Sequence, residues 1–138
     1  MIKSISCVGY RGFVIKQTLH LAEPDGNPGS GLTVLVGPNG GGKSTIIECF
    51  NKIATKKSAA FSKGKRNLRA GNSVTIEIDV DGKLGVLKTI KNGTQTEWAG
   101  PDVPSIYHLP PRRSFNPYFG STEWSRSTYL EQQKSSRS

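Results

Sequence analysis

Acidic side chains are missing from residues 51–73, a stretch that holds seven lysines and arginines. That absence concentrates the charge. The whole chain carries +9 and this one segment supplies +7, against +1 from residues 1–50, −2 from 74–111 and +3 from 112–138. Cysteine is almost absent, with Cys7 and Cys49 the only two. Both sit in apolar patterns, which predicts buried thiols in a reducing compartment rather than a disulfide framework. Histidine is equally scarce. His20 and His108 stand alone, so no ligand spacing supports a metal cluster. No apolar run approaches the ~18 residues that a membrane-spanning helix needs. The start, Met1-Ile2-Lys3-Ser4, lacks the apolar core of a secretion signal, and the expectation is a cytoplasmic protein. There are no internal repeats, and 138 residues predict one domain with a sizeable core.

What is present is glycine, 16 residues of it. Nine positions matter most: Gly37-Pro38-Asn39-Gly40-Gly41-Gly42-Lys43-Ser44-Thr45. They contain the pattern G-x-x-x-x-G-K-[ST], at Gly37, Gly42, Lys43 and Ser44. Glycines let a backbone wrap with its N–H groups inward and with no Cβ to hold a phosphate away. A following helix offers unsatisfied N–H groups and a positive dipole end to the same anion. A glycine-rich chain can match such a pattern by accident, so context decides. Leu32-Thr33-Val34-Leu35-Val36 reads as a buried parallel strand. Ile46, Ile47, Phe50 and Ile53 recur at helical spacing after the loop. Strand, loop and helix therefore fall in the order that a nucleoside triphosphate site requires. The expected ligands are ATP and Mg²⁺. Gly37, Asn39, Gly40, Gly41, Gly42, Lys43, Ser44 and Thr45 are the candidate binding residues. Lys43 is the candidate catalytic residue, reaching the β- and γ-phosphates, and Ser44 is the candidate Mg²⁺ ligand. The dinucleotide fingerprint G-x-G-x-x-G does not fit this spacing.

Elsewhere, Ser4–Tyr10 alternates and reads as a strand, followed by strand-like Phe13–Ile15 and Thr18–Leu21. Residues 24–31 read as a loop. Residues 54–73, basic and without periodicity, read as a flexible loop or short insertion. An antiparallel meander follows. Val74, Ile76, Ile78 and Val80 share one face, and turns at Asp81-Gly82 and Asn92-Gly93 lead into two further strands. A two-residue turn sets Ile78 opposite Gly85, whereas a bulged three-residue turn sets it opposite Leu84. Because register follows the apolar face, the bulged turn is predicted. Ser105–Leu109 reads as a short strand. Residues 112–138, with Arg112-Arg113, Phe115, Tyr118, Phe119 and Trp124, read as an irregular or partly disordered tail.

These residues resemble the N-terminal lobe of ATP-binding heads in the structural-maintenance-of-chromosomes, RecF-type and related AAA/ABC-like ATPases. The likeness rests on Tyr10-Arg11-Gly12-Phe13 after the first strand, on GPNGGGKST opening a helix, close to the group's GPNGSGKST, and on the meander. Gly41 stands where the group usually has Ser, Ala or Cys. The resemblance implies an α/β fold: a P-loop NTPase half-head with an antiparallel β meander around a strand–P-loop–helix unit. It implies a nucleotide sandwiched between two heads, and an Arg11 turn near the nucleotide, although a surface role for Arg11 reads equally well. It also implies two further parts, a Leu-Ser-Gly-Gly signature and a Walker B strand ending in Asp-Glu. Neither is recognisable. Val74–Asp79 alternates, whereas a Walker B strand is buried on both faces. The expected function is therefore an ATP-binding lobe of an ATPase in DNA repair, chromosome maintenance or phage defence, incomplete before Walker B and with little hydrolysis alone. A second head or missing lobe is the expected partner.

The basic segment adds an alternative. Lys52, Lys56, Lys57, Lys63, Lys65, Arg66 and Arg69 suit the phosphates of DNA, or are simply a solvated loop. A non-catalytic nucleic-acid-binding or assembly module holding a structural nucleotide fits the same residues. Arg112-Arg113 with nearby aromatics suits base stacking or patching of an exposed core edge. A GTPase lacks its Asn-Lys-x-Asp segment here, and a small kinase lacks its arginine-rich lid.

Overall fold

The computed structural model describes residues 1–55, 60–90 and 95–109. The chain divides into two units, residues 1–106 and 107–138, and the description below concerns the first. The Asn92-Gly93 turn, Lys56, Lys57 and the 112–138 tail lie outside the described residues.

Five strands form one sheet: β1 (Ile2–Val8), β2 (Gln17–His20), β3 (Thr75–Val80), β4 (Lys83–Ile90) and β5 (Gln95–Ala99). Their order is β2-β1-β3-β4-β5, and every pairing is antiparallel. Period-2 alternation builds the buried face. Ile5 lies opposite Ile78, and Cys7 opposite Ile76, all with no exposed surface. Helix α1 (Lys43–Thr55) supplies Ile46, Cys49 and Ile53 to the same core cluster. Their i, i+3, i+7 spacing is one helical stripe. Ile47 falls off that stripe and is exposed.

The hairpin between β3 and β4 corrects the predicted bulge. Val80 pairs directly with Lys83, and Ile78 with Gly85. Asp81 and Gly82 both have positive φ, 52° and 82°, as a type I′ turn requires. A bulge would turn Leu84 and Val86 inward, which is why the apolar pattern favours it. Instead Leu84 is exposed, and Gly85 and Leu87 face the core. The missing side chain at Gly85 is replaced from β5. Trp98 lies over Gly85, so close that a Cβ there would sit 2.3 Å from its ring. The tight turn and this aromatic filler outweigh the apolar count of β4.

Three strand expectations fail for a common reason. Leu32–Val36 forms no strand. Leu32, Val34 and Val36 are 70%, 67% and 90% exposed, and only Leu35 packs on the core. A parallel strand needs neighbours to complete its ladder, and all ladders among the described residues are antiparallel. Phe13–Ile15 is a turn, in which the Phe13 N–H donates to the Tyr10 carbonyl and the Val14 N–H to the Gly12 carbonyl. Ser105–Leu109 likewise forms no strand, although Ile106 packs on the core.

Residues 61–70 of the basic segment are tied down more closely than a flexible loop implies. Residues 63–65 and 68–70 are short 3-10 turns. Phe61 and Arg66 are buried. The Phe61 ring meets Tyr10 edge-on at 5.0 Å between centroids, and Arg66 bridges to Tyr10. Composition makes this stretch look solvated. One aromatic and one backbone bridge are enough to dock it.

Candidate functional site

Helix α1 begins directly after Gly42, whose carbonyl accepts the Ile46 N–H at 3.0 Å. Its first turn holds no acidic residue, so nothing in that turn offsets its positive end. Gly40 and Gly42 have φ of 82° and 91°, the left-handed region that glycine adopts without a Cβ penalty. At Gly42 the requirement is doubled, since a Cβ would also strike the Phe13 ring at 2.7 Å.

A cavity of about 360 Å³ opens at this helix end. Asn39, Gly40, Gly42, Lys43, Ser44 and Thr45 line it, and Arg11 closes it from the turn after β1. Six of the eight residues expected at the site are thus brought together. The other two are not among the lining residues but bond within the loop. The Gly37 carbonyl accepts a hydrogen bond from Lys43 Nζ, and the Gly41 N–H donates to the Pro38 carbonyl at 3.1 Å. Lys43 Nζ also donates to the Pro38 carbonyl at 2.6 Å. The ammonium group therefore folds back over its own loop. Ser44 is exposed and Thr45 is buried.

Glu48 and Asn67, which the sequence did not single out, join Tyr10 and Lys65 in holding Arg11 in place. Its guanidinium donates to Glu48 Oε1 at 2.5 Å. The Tyr10 hydroxyl donates to Glu48 Oε2 at 2.5 Å. Glu48 sits one helical turn beyond Ser44 and is the only acidic residue of α1. That spacing, read with the Tyr10-Arg11 pair, was the available signal. Burial, and then the hydrogen bond to Glu48, hold the Tyr10 hydroxyl protonated well above the usual phenol range. The Arg11 backbone is in the left-handed region, φ 51°. Its N–H donates to the Lys65 carbonyl at 2.7 Å, and its carbonyl accepts from Asn67 Nδ2 at 2.6 Å. The Asn67 N–H donates in turn to the Gly9 carbonyl at 2.8 Å. The basic segment is thus the bracket of the Arg11 turn.

Other polar groups are engaged elsewhere. Glu77 pairs with Lys16, and Asp79 Oδ1 accepts the Gly82 N–H at 2.7 Å. Lys52 donates to the Ala60 carbonyl and lies over the Phe61 ring at 5.3 Å. Lys63, Lys65 and Arg69 are exposed. Chemically, the cavity joins left-handed glycines, a helix N-terminus, an ammonium, a hydroxyl and a guanidinium. That set suits an anion with several oxygens.

The comparisons with known proteins agree with the coarse architecture. The chain is 35% identical over 65 residues to the chromosome partition protein Smc of Desulfitobacterium hafniense (strain Y51), covering 47% of this chain and 5% of that protein. It is 34% identical over 65 residues to the Smc protein of Rhodopirellula baltica (strain DSM 10527 / NCIMB 13988 / SH1), with the same coverage. Those curated relatives are far longer than the region they share with it. Among the described residues no helix is long and apolar enough to cross a membrane. Residues 4–137, nearly the whole chain, match the AAA domain, and the chain belongs to that family.

Proposed function

We propose that this chain is the ATP-binding lobe of a P-loop ATPase acting in chromosome maintenance, DNA repair or phage defence. One observation carries the reading: the cavity at the start of α1, lined by Gly40, Gly42, Lys43, Ser44 and Thr45 and faced by Arg11. The loop N–H groups and the helix end cradle phosphates, and Gly37, Asn39 and Gly41 shape the loop. Lys43 is the mobile cation, free to exchange its bonds to the Gly37 and Pro38 carbonyls for phosphate oxygens. The accessible Ser44 hydroxyl supplies a hard oxygen for Mg²⁺. The metal neutralises phosphate charge when bound.

Hydrolysis by this lobe alone is expected to be slow. Water activation needs a base or water-orienting group at the phosphate end, and no carboxylate lines the cavity among the described residues. Glu48 is held by Tyr10 and Arg11, and Glu77 by Lys16. A second head or further lobe would supply the missing groups. The exposed Lys63, Lys65 and Arg69 favour an accompanying contact with DNA phosphates.

Titrating ATP and GTP, with and without Mg²⁺, into the chain and its Lys43→Ala variant tests the reading. Mg²⁺-dependent ATP binding that Lys43→Ala weakens at least tenfold supports it. Equal binding by both proteins overturns it. The DNA contact is tested by duplex binding across salt concentrations. Affinity should fall with a log–log slope of about one for each phosphate that the protein neutralises.

A further inference from the structure

We propose that Glu48 is a positioning residue, which holds Arg11 at the cavity as a second fixed cation for a polyphosphate chain. The inference rests on the nucleotide reading above and adds to it the device that aims Arg11. Glu48 does not line the cavity; it acts through Arg11. Four constraints converge on that arginine. Its N–H is bound to Lys65, its carbonyl to Asn67, and its guanidinium to Glu48 Oε1. The guanidinium also lies 5.7 Å from the Tyr10 ring centroid. Tyr10 then locks the carboxylate by donating to Oε2.

The chemistry explains why an acidic residue belongs beside an anion site. Both Glu48 oxygens already accept charge-assisted or phenolic hydrogen bonds. Its charge is spent on holding the guanidinium, which keeps further N–H donors for a ligand in the cavity that Arg11 lines. The side chains of Arg11 and Glu48 are 34% and 31% exposed, half-buried enough for a fixed geometry and open enough to meet a ligand. A cation already held in place surrenders little rotamer freedom on binding. Lys43 and Arg11 then meet different oxygens of one chain of phosphates, which favours di- and triphosphates over monophosphates.

The test is equilibrium binding of MgATP, MgADP and AMP to the full chain, its Arg11→Ala and Glu48→Ala variants, and the double variant. Glu48→Ala is expected to weaken MgATP by about tenfold and AMP much less, and the double variant to bind no more weakly than Arg11→Ala alone. Through-space charge alone predicts the opposite sign, because removing a carboxylate would tighten ATP. Tighter or unchanged binding by Glu48→Ala overturns the proposal. So does a further loss when Glu48→Ala is added to Arg11→Ala. If Glu48→Ala does not fold, Glu48→Gln, which keeps one acceptor, carries the same cycle with a smaller loss expected. Nucleotide binding that Lys43→Ala abolishes and Glu48 variants spare sinks this proposal alone. No nucleotide binding by the parent chain sinks both.

Discussion

The Tyr10 hydroxyl meets Glu48 Oε2 at 2.5 Å, joining the turn after β1 to the second turn of α1. The bond shields a phenol whose neutral form the fold prefers. A pKa raised in the folded state gives stability that is complete below the unfolded tyrosine value, about 10, and is lost as pH rises through the folded value. We expect the Tyr10 phenol to titrate above the ordinary tyrosine range when phenolate absorbance is followed. Tyr10→Phe should remove that late step and flatten the alkaline loss of stability. A Tyr10→Phe titration identical to the parent's would refute the assignment.

Gly42 faces Phe13 with no room for a methyl group. Gly42→Ala should cost about 1–3 kcal/mol from the left-handed backbone and the clash together. The Phe13→Ala/Gly42→Ala double variant should recover part of that loss. Additive chemical-denaturation energies would mean that the two residues do not touch.

Trp98 fills the place of the absent side chain at Gly85. Gly85→Val should destabilise by about 1–3 kcal/mol, as overpacking does. In a Trp124→Phe background the Trp98 emission should shift to the red as the ring is expelled. An unshifted spectrum with full stability would contradict the observed register.

Cys7 and Cys49 are both free and fully buried. The hydrogen bond to Cys7, and then burial, hold the Cys49 thiol protonated. Thiol-exchange reagents should therefore label the native chain on the order of a hundredfold more slowly than the unfolded chain, with opening of the core as the gate. Fast labelling without denaturant would show that this core breathes.

What is legible in the sequence follows from the range of each interaction. The α1 stripe and the buried face of β3 are local periodicities, and Ile46, Ile53, Ile76 and Ile78 lie where those periods put them. The loop from Asn39 to Thr45 is likewise contiguous. Leu32–Val36 misleads because apolar, β-branched composition describes a strand only when another strand stands beside it. The β3–β4 register misleads because its deciding side chain, Trp98, stands on the following strand and cannot be weighed from the hairpin itself. The Glu48 clamp and the Asn67 bracket are hidden for the same reason. They join segments far apart in sequence, and no short-range pattern announces them.

The Asn67–Arg11 hydrogen bond spans 56 residues. Closing a loop of that length costs entropy before the bond repays it, which places such pairings late in folding. A chain emerging from the ribosome would present the glycine loop and helix start well before Asn67 could fasten the Arg11 turn. On the proposed nucleotide reading, affinity should thus mature in two stages during synthesis, weak before the bracket closes and full after it. Under that reading, ligand present at that moment would favour the closed form by mass action, and a nucleotide would act as a folding template for its own site.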